Sequence, residues 1–178
     1  MRIISGRYKG KKIYAPKNLP VRPTTDRAKE AIFSKLSTYY NLNEVTVLDL
    51  FSGTGNISYE FASRGCKQIT SVDINNNCIN FIKKTSSELN CSIKYFKMDS
   101  IKFVMTTKDK YDIIFADPPF NYKEYHKLSK QILSSKILNE NGILIIEHND
   151  KTKFDEELYD TRKYGDIHLS IFNKNILK

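Results

Sequence analysis

The sequence is short of cysteine, of long apolar runs and, near its start, of acidic residues, and each shortage excludes something. Its three cysteines, Cys66, Cys78 and Cys91, are odd in number and lack CxxC spacing, which argues against a disulfide scaffold and a zinc site. They read as buried thiols, and no metal is called for. No stretch approaches the roughly 20 apolar residues of a membrane span. The early cations Arg2, Arg7 and Lys9 are not followed by the apolar run of a signal peptide. These absences predict a cytoplasmic protein with no membrane partner. Internal repeats and low-complexity tracts are also missing. Against this, hydrophobic residues make up 40% and aromatics 12% of the 178 residues. That is enough to bury a core at a length where one domain is expected.

The formal net charge of +9 is concentrated at one end. Residues 1–27 hold eight of the 29 lysines and arginines, with Asp26 as their sole acid, and four of the six arginines. Arginine suits bidentate contact with phosphate or guanine, so this segment is expected to face nucleic acid. A solvated basic arm that only aids solubility is the alternative. Residues 2–14 read as a β-hairpin around glycines, with Tyr8 and Tyr14 interleaved among the cations. Pro16, Pro20 and Pro23 then make residues 15–24 an irregular connector. The expected organisation is therefore a basic hairpin and connector over 1–24 and a main domain over 25–178.

A helix is predicted from Thr25 or Asp26 to about Asn41, with Ala28, Ile32, Leu36 and Tyr39 at helical spacing. Beyond it, short apolar runs alternate with amphipathic stretches, as in a parallel sheet flanked by helices. Strands are predicted at 45–50, 68–73, 92–97, 111–116 and 142–148, and helices at 56–64, 75–89, 101–106 and 122–135. Residues 159–164 and 167–173 read as a closing antiparallel pair joined through Gly165-Asp166.

The chemistry lies at the strand ends. Val47-Leu48-Asp49-Leu50-Phe51-Ser52-Gly53-Thr54-Gly55-Asn56 places an acid at the end of the first strand and two glycines in the turn opening the next helix, where open α/β sheets bind ligands. A dinucleotide fingerprint needs a third glycine where Ser58 stands, and here the acid precedes the glycines. An acid so placed suits a cationic ligand, such as the methionine end of S-adenosylmethionine, better than a pyrophosphate. A ligand-free strand-to-helix turn would read the same way. Asp73 ends the second strand, where a carboxylate can accept both ribose hydroxyls. Asp99 ends the third and can take a hydrogen bond from an adenine amine, with Ile74 and Met98 over the ring faces. Such acids taken singly are often helix caps; three at one sheet edge point to a ligand.

The fourth strand carries the most specific signal, Ile113-Ile114-Phe115-Ala116-Asp117-Pro118-Pro119-Phe120. The prolines fix the backbone and remove its donors. The Asp117 carboxylate and Pro118 carbonyl can then accept both hydrogens of an exocyclic amine while Phe120 stacks on its base. An aromatic amine needs that help, because its lone pair is delocalised until both N–H bonds are held. A proline-rich turn with an N-capping Asp117 is the plain alternative.

With these residues in place, the sequence resembles the class I S-adenosylmethionine-dependent methyltransferases, and closely the RsmD family of 16S ribosomal RNA guanine-N2 methyltransferases. The resemblance covers nearly the whole chain. It rests on Asp49-Leu50-Phe51-Ser52-Gly53-Thr54-Gly55 and Asp117-Pro118-Pro119-Phe120, on residues 2–12 and 21–27, and on Ser63-Arg64-Gly65. It implies a Rossmann-like α/β fold with a mostly parallel seven-stranded sheet, last strand antiparallel, plus the N-terminal hairpin. By the same resemblance Asp49, Phe51, Gly53 and Gly55 hold the methionine end of S-adenosylmethionine, Asp73 the ribose and Asp99 the adenine, with Ile74, Met98 and Ser100 completing the cofactor site. Asp117, Pro118, Pro119 and Phe120 then meet the target amine. Arg2, Arg7, Lys9, Lys11 and Lys12 grip phosphates, and Arg22, Thr24, Thr25 and Arg27 line the cleft between cofactor and RNA. The implied reaction is in-line transfer of methyl to the N2 of a guanine in small-subunit ribosomal RNA, position 966 of the 16S molecule, as a monomer. Two departures stand out. Ser58 replaces a usual glycine, which is expected to alter helix packing slightly, and lysine replaces much of the hairpin's usual arginine.

Rival readings share parts of this pattern. Adenine N6 or a protein glutamine amide is also an amine that this fourth-strand motif serves, and the basic N-terminus argues against the protein substrate. A non-catalytic RNA-binding module would leave Asp117-Pro118-Pro119-Phe120 without a task, as would a nicotinamide oxidoreductase. Methylation of a ring carbon would require a cysteine nucleophile near the fourth strand, and all three cysteines precede it. His126, His148 and His168 have no partners at motif spacing and read as structural or surface residues.

Overall fold

The computed structural model describes residues 1–16, 19, 24–119, 121–154, 160–165 and 167–173. In chain order the elements are α1 (Asp26–Tyr39), β1 (Thr46–Leu50), α2 (Asn56–Ser63), β2 (Gln68–Asp73), α3 (Asn76–Glu88), β3 (Lys94–Lys97), α4 (Ser100–Thr106), β4 (Tyr111–Ala116), α5 (Tyr125–Ser134), β5 (Leu138–His148), β6 (Asp160–Tyr164) and β7 (Ile167–Asn173). The strands form one sheet in the order β3-β2-β1-β4-β5-β7-β6. β1 to β5 run parallel, and β7 is antiparallel to both β5 and β6. The chain builds outward from β1 to β3, then returns to β4 on the other side of β1, so the order reverses between β1 and β4. Ligands bind at such a switch point, outside the carboxyl ends of the strands.

Strand alternation sorts the core into two layers. Val47, Ile69, Ile113, Phe115, Ile143 and Ile145 face one side, with Phe33 and Leu36 of α1, Phe61 of α2 and Ile82 of α3. Leu48, Leu50, Val72, Ile114, Ala116, Leu144 and Ile146 face the other, against Val104 of α4 and Leu128 and Ile132 of α5. Each fully buried aliphatic or aromatic side chain contributes about 1.5–3 kcal/mol, so this two-sided burial explains why the central strands are continuous apolar runs. Among the described residues no helix is long and apolar enough to cross a membrane.

Local chemistry sets the boundaries. Thr25 caps α1, its hydroxyl accepting the Ala28 N–H at 3.3 Å. α5 starts three residues later than the spacing predicts, because the Tyr122 N–H closes a turn onto the Pro119 carbonyl at 2.8 Å. β5 starts earlier than its apolar run, at Leu138, through a register shift against Tyr111 and a 2.7 Å bond from the Asn139 amide to Asp112. Gly165 (φ +63) ends β6, and its expected turn partner Asp166 lies outside the described residues. Cys66 and Cys78 are buried, but Cys91, in the loop before β3, is only half-buried.

The N-terminal segment departs from two regular strands. Arg2 and Lys12 form a single antiparallel bridge, supported by Ile3 N–H to Lys11 O and Ile13 N–H to Met1 O, each at 3.0 Å. Three amides near the tip bond to α2 instead. Arg7 N–H donates to the Ser63 carbonyl at 2.7 Å, Tyr8 N–H to Ser63 Oγ at 2.9 Å, and Ile4 N–H to Glu60 Oε1 at 2.7 Å. Gly6 (φ +83) makes this approach possible, since a Cβ there would lie 1.9 Å from the Ser63 carbonyl oxygen. Ile3 and Ile13 join the same core as α1 and α2, so the core is continuous across residue 24.

Candidate active site

The turn after β1 is built from left-handed residues: Phe51 (φ +55), Gly53 (φ +51) and Gly55 (φ +77). A Cβ at Gly55 would come within 2.9 Å of the Tyr59 ring, so glycine is required there for conformation and for space. The turn is tied to β2 by Ser52 N–H to Val72 O at 3.0 Å and by Gly53 N–H to Asp73 Oδ2 at 2.8 Å. Asp73 Oδ1 accepts the Asn75 N–H at 2.7 Å, so both its oxygens are held in place. Asp49 Oδ2 accepts the Ser58 hydroxyl at 2.5 Å and the Ser58 N–H at 3.2 Å. Ser58 Oγ also lies 2.7 Å from Ser71 Oγ. Ser58 therefore does more than alter packing: it is the residue that orients Asp49. Burial pushes the Asp49 carboxyl up to about 7, with the Ser58 bonds opposing and Asp73 adding to the rise. A buried carboxylate in that condition is receptive to a cation.

A cleft of about 690 Å³ opens over these strand ends. It brings together Asp49, Phe51, Gly53, Asp73, Ile74, Asp117, Pro118 and Pro119 from the expected set. Ile74 is 68% exposed, an apolar surface facing the cleft. Asp117 follows β4, its N–H bonded to the Leu50 carbonyl at 3.3 Å. Asp117 is partly buried and densely surrounded by protein, and its carboxyl lies well above the ordinary carboxylate range. Burial is the main cause, followed by the charges of Glu147 and Asp49. Beside it Phe51 and Tyr122 pack edge to face at 5.2 Å, and Tyr122 meets Tyr125 in the same way at 5.3 Å.

Apart from Thr24, the other expected site residues that are described stand outside the cleft. Gly55 shapes the turn without lining the cleft. Met98, Asp99 and Ser100 lie at the end of β3 beyond it: Asp99 caps α4 by accepting the Lys102 N–H at 2.9 Å, Ser100 is the buried first residue of that helix, and the Met98 N–H bonds the Asp73 carbonyl at 3.1 Å. Phe120 and Arg22 are outside the described residues. Of the cations, Arg7, Lys9, Lys11, Lys12 and Arg27 are exposed, and Arg7 packs 5.5 Å from the Tyr8 ring centroid. Arg2 is also exposed but paired with Asp26 at 3.1 Å. Thr25 is the helix cap, whereas Thr24 is buried and lines the cleft.

Two features escape a reading of the sequence. Glu147, near the end of β5, is a buried cleft residue, and the Thr24 hydroxyl donates to it at 3.5 Å. The second is a buried network around Lys29. Its Nζ donates to the Arg2 carbonyl at 2.5 Å, Asn56 Oδ1 at 3.0 Å and Glu60 Oε1 at 2.9 Å. Asn56 Nδ2 in turn donates to the Thr24 carbonyl at 3.1 Å. One ammonium thus links the basic segment, the helix after the glycine turn and a cleft wall. Glu60 also pairs with Arg64, whose guanidinium lies 4.2 Å from the Phe33 ring centroid. A second depression of about 300 Å³, between α1 and β5, β7 and β6, has mainly apolar walls such as Ile32, Leu36, Ile143 and Leu169. It lacks the acids and the glycine turn, so the chemistry belongs to the larger cleft.

A sheet in this order, with an acid-lined cleft at its switch point and a glycine turn after β1, is the Rossmann-like class I methyltransferase fold. Solved structures share it. A hypothetical protein of Thermus thermophilus superposes with a TM-score of 0.86 at 22% identity, covering 97% of this chain and 99% of that one. A protein complexed with SAH does so with a TM-score of 0.59 at 24% identity, covering 71% and 44%. The family described as Conserved hypothetical protein 95 matches residues 1–173. The Ribosomal RNA small subunit methyltransferase D of Buchnera aphidicola subsp. Acyrthosiphon pisum is 34% identical over 152 residues, 84% of this chain and 78% of that protein. The chain belongs to that family, the RsmD family of methyltransferases, whose cofactor is S-adenosylmethionine.

Proposed function

We propose that the chain transfers a methyl group from S-adenosylmethionine to the exocyclic N2 of a guanine in small-subunit ribosomal RNA, position 966 of the 16S molecule. The observation that carries this reading is Asp117. Its carboxylate lines the cleft beside two prolines, and among the described residues no hydrogen bond reaches it. It is an acceptor waiting for a donor.

The residues fit the cofactor. Asp49, raised toward neutrality by burial, recovers its charge beside a sulfonium and ammonium; the Phe51 to Gly55 turn holds the methionine end, Asp73 the ribose, and exposed Ile74 the adenine face. When bound, the cofactor supplies an electrophilic methyl on sulfur. Asp117 and the Pro118 carbonyl accept the two N2 hydrogens and turn the lone pair toward that methyl. An amine that took up this methyl would become ammonium-like, and the upward-shifted Asp117 is suited to take the released proton. Phe120 is assigned the stacking role by family resemblance. The target must be unstacked to enter, which favours a loop nucleotide. Arg7, Lys9, Lys11 and Lys12, on a segment anchored to α2, hold the RNA backbone.

Radiolabelled methyl transfer to undermethylated small subunits, free 16S RNA and duplex DNA, with Asp117→Ala as control, tests the reading. The expected label is N2-methylguanine in ribosomal RNA, absent in the variant. Label on adenine or on DNA overturns the substrate.

A further inference from the structure

Resting on that reading, we infer that Glu147 is the residue that selects guanine, by accepting a hydrogen bond from the ring N1–H beside the amine being methylated. The placement follows from the sheet. Phe115 and Ala116 of β4 stand opposite Ile145 and Ile146 of β5. Continuing that register puts Asp117 and Glu147 side by side on the face that carries Asp49, whose own partner is Phe115. Both carboxylates line the cleft. Glu147 is only 7% exposed, and its charge is among the causes that raise the Asp117 carboxyl.

Base chemistry supplies the rest. Adenine, cytosine and guanine each carry an exocyclic amine. In adenine and cytosine the ring nitrogen nearest that amine on the pairing edge is an acceptor; in guanine it is the N1–H donor. With Asp117 holding the amine, a neighbouring carboxylate meets N1–H in guanine and a lone pair in the other two. The first pairing is a charge-assisted hydrogen bond, whereas the second buries two acceptors against each other. A carboxylate offers about four acceptor positions, so Glu147 can accept from Thr24 and from the base together. The Thr24 bond, and the Asn56 amide on the Thr24 carbonyl, fasten this wall of the cleft to α2.

The test uses RNA in which the target guanine is replaced by 2-aminopurine, which keeps the 2-amino group and turns N1 into an acceptor. Methyl transfer is measured for the wild-type protein and for Glu147→Gln, with cofactor affinity and melting temperature as controls for folding. The wild type is expected to prefer guanine over 2-aminopurine by about 100-fold in kcat/KM, the value of a hydrogen bond to a charged group. In Glu147→Gln the preference is expected to fall to within about tenfold, since a neutral amide can present either a donor or an acceptor. An undiminished preference in a folded variant that still binds cofactor overturns the inference, and so does a wild type that methylates both RNAs equally, a result independent of any substitution. Absence of wild-type transfer to the guanine RNA overturns the substrate reading, and this inference with it.

Discussion

The two halves of the cleft treat their carboxylates differently. On the β1 and β2 side, Asp49 is held by the side chain and amide of Ser58, and Asp73 by the amides of Gly53 and Asn75. On the β4 side, the Asp117 carboxylate accepts no hydrogen bond among the described residues and shares its surroundings with Glu147. The first arrangement fixes acceptors in place before any ligand arrives; the second leaves an acceptor unsatisfied so that only an incoming donor completes it. That division matches a site in which one ligand binds in a preformed seat and another is recognised through the amine that reacts. Holding charge in place before reaction is an efficient form of catalysis, and leaving one acceptor open lets binding energy be expressed where the chemistry occurs.

The largest test of the difference removes the open acceptor. Asp117→Ala is expected to lower kcat about 10²–10³-fold, comparable to loss of one positioned polar group in other enzymes, as read by single-turnover transfer. The next acts on the buried support that joins the halves to the basic segment. Among the described residues, Lys29→Met leaves Arg64 as the remaining ion-pair partner of Glu60 and frees the Arg2 carbonyl. Breaking such a pair is expected to cost about 3 kcal/mol in urea unfolding. A smaller change sharpens the comparison on the cofactor side. Ser58→Ala removes the hydroxyl bond to Asp49 and raises that carboxyl further, weakening cofactor binding about tenfold at neutral pH, as measured by calorimetry.

The pH dependence of the cofactor-free protein has a definite sign. Asp49 has its folded value raised from 3.8 to about 7, so the folded state binds a proton more tightly than the unfolded chain does. Its contribution to stability is full below about pH 4 and is lost as pH rises through 7. Melting temperatures of wild type and Asp49→Asn should therefore converge at acidic pH, with the variant relatively more stable at pH 8. The smallest expected effect is on RNA. Replacing Lys9, Lys11 and Lys12 by glutamine should lower the salt-dependence slope by about one for each phosphate left without its cation, with cofactor affinity unchanged.

Much of the site is legible in the sequence, and for a physical reason. Asp49, Asp73 and Asp117 each lie at or just beyond the end of an apolar run, so locating the strand also locates the acid. Glu147 follows Ile143-Leu144-Ile145-Ile146 in the same way, but its role depends on the register of β5 against β4, which no local pattern reveals. Asp99 carries the same signal and caps α4, so the same pattern serves a helix cap as readily as a ligand contact. Lys29 is beyond the reach of sequence. Its partners Asn56 and Glu60 lie 27 and 31 residues away, and a lysine at a helical position ordinarily reads as solvent-facing. The N-terminal segment has the expected pairing, but the amides of Ile4, Arg7 and Tyr8 find their partners on α2, which nothing in residues 2–14 announces.

The division between a preformed cofactor seat and an open target acceptor is tested most directly by titrating S-adenosylmethionine into wild type, Asp49→Asn and Asp117→Ala at pH 8. Asp49→Asn is expected to weaken binding about tenfold or more, by loss of a charge-assisted hydrogen bond, while Asp117→Ala binds as the wild type does. Equal weakening by both substitutions would contradict the division, since the two carboxylates would then belong to a single seat.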